Sequence, residues 1–182
     1  MKMADTYAFF GRYEQDTATC AWHSDFLSVA LCYGHFSYVR NRIEGMESIE
    51  KAGRPYLHIL LDDYSICTPE SLDMISILLS KGGRPDHEFN FRTTWEYLLI
   101  KIYKEELQAP SLVRLVLLFL GFDADPNQRI KFPDYKFSTL HILLSKLPVH
   151  EEQLEVVLLE LLKNGADPNT KDLRDLSVIQ LA

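Results

Sequence analysis

The sequence predicts an all-α fold in which helix pairs stack in a row, and three observations predict it. An apolar helix tail, a glycine and an acid-bearing turn are written three times. The copies run from Ile77-Leu78-Leu79 to Gly82 and Asp86, from Leu117-Leu118-Phe119 to Gly121 and Asp125, and from Leu161-Leu162 to Gly165 and Asp167. The pentapeptide Leu57-His58-Ile59-Leu60-Leu61 returns unchanged as Leu140-His141-Ile142-Leu143-Leu144, with a degenerate copy, Trp95-Glu96-Tyr97-Leu98-Leu99, between them. The two signals keep their separation: 25 residues from Leu57 to Gly82, 26 from Trp95 to Gly121 and 25 from Leu140 to Gly165. Self-similarity at 39 and then 44 residues between the glycines is the mark of a repeat array. Such an array offers a surface more readily than a catalytic pocket.

Each element follows from local chemistry. Residues 1–24 are unlike the rest, and Tyr7, Phe9, Phe10 and Tyr13 are expected to pack on the first helix pair as a cap. Phe26 to His35 has the form of a first helix. Thr68-Pro69-Glu70-Ser71 reads as a helix start, with Thr68 as N-cap and Pro69 in the first turn. Pro110-Ser111 and the stretch from Pro148 to Glu152 read alike. Leu72, Ile75, Leu78 and Leu79 fall at helical spacing, as do Leu112, Leu115, Val116 and Phe119, and Leu154, Val157, Leu158, Leu161 and Leu162. The last two helices are apolar on more than one stripe, so neighbours must cover them. Gly82, Gly121 and Gly165 are expected to end the helices with left-handed backbone. Pro85, Pro126 and Pro168 bar helix from the turns that follow. Residues 175–182 begin a further copy, an apolar helix start with nothing after it; the chain is expected to belong to a longer protein, or its end to be covered by a second chain. The repeats then fall at about 25–53, 54–91, 92–136 and 137–172, with a partial one at 173–182.

These residues resemble the ankyrin repeat. Leu27, Ala30, Gly34 and His35 match the first half of that pattern at its spacing, and Gly165-Ala166-Asp167-Pro168-Asn169 matches its turn with Pro for Val. The chain departs from it where Pro55-Tyr56, Thr93-Thr94 and Ser138-Thr139 replace Thr-Pro. It departs again where Leu60-Leu61, Leu98-Leu99 and Leu143-Leu144 replace a small Ala pair, and in longer inserts between paired helices. The elongated, Leu-rich style is similar to the repeats that follow the nucleotide-binding module in fungal incompatibility proteins of the NACHT type. The resemblance implies an ankyrin-like repeat solenoid with extended inter-helix loops, acting as the scaffold or sensing part of a larger signalling protein. It implies that His58 and His141 tie helix starts together by hydrogen bonds.

Composition narrows the function classes. The chain has 182 residues, 47% apolar and 25% charged, an ordinary composition for a packed domain. A net charge of −7 argues against nonspecific nucleic-acid binding. No apolar stretch reaches membrane-spanning length, and the N-terminus lacks the apolar core of a secretion signal. Three cysteines imply no disulfide framework and suit a reducing, cytoplasmic setting.

No constellation calls for catalysis. Cys20, His23, Cys32 and His35 have the spacing of a zinc site, but His35 fills a helix-turn position and Cys32 sits on a helix needed for packing. Asp62-Asp63 and Glu151-Glu152-Glu155 read as solvated surface or helix starts, and Asp86, Asp123, Asp125 and Asp167 as turn residues. No phosphate loop is present. No enzyme activity, cofactor or metal is expected; the alternatives are a hydrolase with a His/Asp site between repeats, or a structural spacer. The surface candidates are basic and aromatic residues at two hairpin tips: Phe89, Phe91 and Arg92 after the first turn, and Arg129, Lys131, Phe132 and Tyr135 after the second. Lys101-Ile102-Tyr103-Lys104 adds a third basic–aromatic stretch. Aromatic and Arg side chains carry much interface energy, so the expected function is binding of another protein through turn tips and the concave helix face.

Overall fold

A computed structural model of the chain describes residues 25–49, 54–62, 68–105, 107, 111–131, 136–146, 151–171 and 177. The expected N-terminal cap at 1–24, with Cys20 and His23, lies outside these residues, as do Pro110, Pro148, and all of the further copy at 175–182 except Ser177. The described chain is mostly helical. In order come α1 (Phe26–Cys32), α2 (Phe36–Ile43), α3 (Tyr56–Asp62), α4 (Pro69–Ser80), α5 (Thr94–Tyr103), α6 (Ser111–Gly121), α7 (Thr139–Lys146) and α8 (Glu151–Lys163). Two short antiparallel hairpins, β1 (Glu88–Phe89) with β2 (Arg92–Thr93) and β3 (Arg129–Lys131) with β4 (Lys136–Ser138), join α4 to α5 and α6 to α7. The repeat boundaries at 91/92 and 136/137 fall inside these hairpins.

The helices form two rows. In one, α1, α3, α5 and α7 pack in succession; in the other, α2, α4, α6 and α8 do. Within pairs, α1 meets α2, α3 meets α4 and α7 meets α8. The core runs along the rows: Leu60, Leu61, Leu98, Leu99, Ile142 and Leu143 are buried in the first, and Leu78, Leu115, Phe119, Val157 and Leu161 in the second. Each such side chain contributes roughly 1.5–3 kcal/mol by leaving water.

Capping chemistry sets the helix starts. Asp25 accepts from the Ser28 amide, Thr68 from the Ser71 amide with Pro69 at the first position, and Thr93 from the Glu96 amide. Glu96 in turn accepts from the backbone of Thr93, completing a capping box.

The helix ends correct one expectation. Gly82 (φ +95°) and Gly165 (φ +88°) are left-handed as expected, but Gly121 is not; it is the last residue of α6. In that copy Asp123 takes the left-handed position (φ +63°), and the Ala124 amide donates to Phe119 O as Ala166 does to Leu161 O and Gly83 to Leu78 O. Asp tolerates this conformation through its short polar side chain. The true equivalents Gly82, Asp123 and Gly165 lie 41 and 42 residues apart, a more even period than the glycines gave.

Candidate functional site

The first hairpin is the most exposed aromatic feature among the described residues. Phe89 pairs with Arg92, leaving Asn90 and Phe91 as a two-residue turn with φ of +52° and +62°. Two left-handed residues define the mirror-image turn that suits the twist of a hairpin. Asn accepts that backbone readily; a bulky aromatic does not, and glycine is the residue the second position favours. Phe91 is nonetheless there, with its side chain 100% exposed.

The other candidates divide. Phe89 turns back onto the helices, with its ring edge-on to His58 at 5.7 Å. Arg92 pairs with Glu96 at 2.9 Å, and both side chains are largely buried. Burial raises the Glu96 carboxyl above its usual range, against the pull of Arg92. Arg129 is exposed at the base of the second hairpin, opposite Ser138. Lys131 lies in β3 opposite Lys136. Phe132 and Tyr135 lie outside the described residues. The Lys101–Lys104 stretch is not a surface strip: Lys101 is buried, its Nζ 5.6 Å from the Tyr97 ring centre, and Tyr103 packs on Phe137.

Beneath the Phe89 hairpin lies a polar cluster. His58 is 3% exposed and stacks on Tyr97 at 5.0 Å; its Nε2 has no hydrogen-bond partner. Burial first, then Arg54 and His87, push its pKa down to about 3, so the ring is neutral. The Tyr97 hydroxyl donates to Asp62, which also pairs with Arg54. Asp62 therefore bridges α3 and α5 rather than facing solvent, correcting the solvated reading of that acid. His141, by contrast with His58, has Nδ1 2.7 Å from Ser138 Oγ, a tie at a helix start.

Three inter-repeat ties escaped the sequence reading. Trp95 Nε1 donates to Asp125 O at 2.8 Å, fastening α5 to the following turn. Asn127 clamps the turn after that: its Nδ2 donates to Gly165 O, and its Oδ1 accepts from the Asp167 amide, both at 2.8 Å. Tyr56 donates to Asp25 at 3.2 Å, linking α3 to the start of α1. The recurrence of Asn127 as Asn169 was the signal available for the clamp. Asp125 and Asp167 accept from the amides two residues on, as turn acids do.

Cys32 is exposed at the end of α1, a helix that packs against both α2 and α3. Among the described residues no cluster of His, Cys, Asp and Glu could hold a metal ion, and no helix is long and apolar enough to cross a membrane. No family model matches the chain, and no curated protein matches it.

Proposed function

We propose that this chain is an ankyrin-like repeat solenoid that binds another protein through its hairpin tips. One observation carries the reading: Phe91 is fully exposed on a left-handed backbone that glycine would occupy with less strain. For a non-glycine residue that backbone costs roughly 1–2 kcal/mol, and exposure returns nothing to folding. A rigid aromatic held out on a two-residue turn is the kind of side chain that anchors protein interfaces. Exposed Arg129 on the next hairpin extends the same edge. The stacked rows, the recurring turns and the His141 tie support the repeat assignment.

Phe91→Gly separates recognition from folding. The variant is expected to unfold at the same urea concentration as the wild type or a higher one, gaining at most about 1 kcal/mol. Affinity capture from extract of the source cells, run beside the wild type, is expected to lose the bound proteins. An unchanged captured set from a folded Phe91→Gly chain contradicts the assignment.

A further inference from the structure

Of the three left-handed helix ends, only the last has an asparagine before its glycine. The residues before Gly82, Asp123 and Gly165 are Lys81, Phe122 and Asn164. Asn164–Gly165 is also the one Asn–Gly step in the sequence. That step is chemically labile, because glycine has no Cβ to keep its backbone nitrogen off the carboxamide before it. The Gly165 nitrogen attacks Asn164 Cγ and passes its proton, through solvent, to the side-chain nitrogen. The Cγ–Nδ2 bond breaks, ammonia leaves, and a cyclic imide closes. Water then opens the imide. Cleavage of the new Cγ–N bond gives aspartate. Cleavage at the backbone carbonyl gives isoaspartate, whose main chain runs through the side-chain methylene.

The helix end holds both reacting groups. The Gly165 amide donates to Leu162 O at 3.0 Å. Asn164 Nδ2 donates to Glu160 O at 2.8 Å and to Glu160 Oε1 at 3.1 Å, which draws the carboxamide back along α8. Glycine is required at 165 by its backbone alone: φ is +88°, while an added Cβ would meet nothing within 4 Å. Asn164 and Gly165 are nonetheless exposed at a helix end, where local opening costs little.

The next atoms along the chain give the reaction a consequence. Gly165 O and the Asp167 amide are the two groups that Asn127 clamps. We propose that Asn164–Gly165 is a self-modification site, shielded by Glu160 and by the last turn of α8, whose deamidation releases the Asn127 clamp between successive turns. Either product replaces the Nδ2 donor with a carboxylate, set beside that of Glu160 at the negative end of the helix. Isoaspartate also lengthens the backbone by a methylene immediately before Gly165, which displaces both clamped groups.

The test incubates the full chain at mildly alkaline pH, folded and in guanidinium chloride, and reads each asparagine by peptide mass spectrometry. In the unfolded chain Asn164 is expected to convert well ahead of Asn41, Asn90, Asn127 and Asn169, which all precede residues with side chains. In the folded chain its conversion is expected to be slower by about tenfold or more, because the turn must open first. Glu160→Ala keeps the backbone acceptor, loses Oε1 and is expected to convert at a rate between the two. Folded chain that has converted, once separated, is expected to show faster hydrogen exchange at the Asp167 amide than the unconverted chain. No lead of Asn164 over the other asparagines in the unfolded chain overturns the site. Equal Asn164 rates in folded and unfolded chain, or in folded wild type and Glu160→Ala, overturn the shielding, and unchanged Asp167 exchange overturns the release.

Discussion

Helices α3 and α7 carry the same five residues, Leu-His-Ile-Leu-Leu, but their histidines are settled differently. His141 in α7 meets the hydroxyl of Ser138, three residues earlier. His58 in α3 has Pro55 at that position, with no hydroxyl to offer, and its Nε2 is buried without a partner between Tyr97 and the Phe89 hairpin. Identical segments in equivalent helices thus acquire a tie in one case and a strained polar burial in the other. The difference teaches that the N-cap residue and the residues one repeat away decide a side chain's role, and the pentapeptide does not.

The largest consequence is a pH dependence that arises from His58 in α3. The folded His58 has a pKa of about 3, whereas an unfolded histidine titrates near 6.5. Above pH 6.5 neither state binds the proton and the group exacts no penalty. As pH falls below 6.5 the unfolded chain takes up a proton that the folded chain refuses, so stability is lost progressively toward pH 3. The slope is about 1.4 kcal/mol per pH unit, several kcal/mol in all. Urea midpoints at pH 7, 5 and 4 are expected to fall more steeply for the wild type than for His58→Leu, which keeps the volume and removes the titrating group. Parallel decline in the two would remove His58 from the account.

A smaller effect is expected in α7. Ser138→Ala removes both the cap and the partner of a buried imidazole, turning His141 into a second His58. The expected loss is about 2 kcal/mol in urea unfolding at pH 7. Repeated in a His141→Leu background, the same change removes only the cap and is expected to cost about 1 kcal/mol. Equal losses in the two backgrounds would mean that the Ser138–His141 bond contributes nothing.

Much of this architecture was legible. The second helices announced themselves by spacing, and Thr68-Pro69 marked a helix start that the coordinates reproduce. The turn acids behaved as their type dictates. The register of the second copy was misread because glycine was taken as the only left-handed residue. Asp123 holds that position, and Gly121 merely closes the helix. The candidate surface was half legible. Phe91 projects as a tip residue should, but Phe89 and Arg92 are drawn inward by His58 and Glu96. Glu96, four residues after Arg92, was visible in the sequence; the approach of Phe89 to His58 was not, because it joins two repeats. Lys101 deceived for a similar reason: a buried lysine reads as a surface charge until the Tyr97 ring four residues earlier is seen to take it.

The central claim is that successive helix pairs touch only their neighbours along two rows. Nuclear Overhauser contacts between side chains of the full chain test it most directly. Cross-peaks are expected between α3 and α5, between α5 and α7, and between α4 and α6, with the Trp95 indole proton close to the turn at Asp125. Cross-peaks joining α3 to α7, or α4 to α8, would show the helices gathered around one common core and would contradict the stacked arrangement.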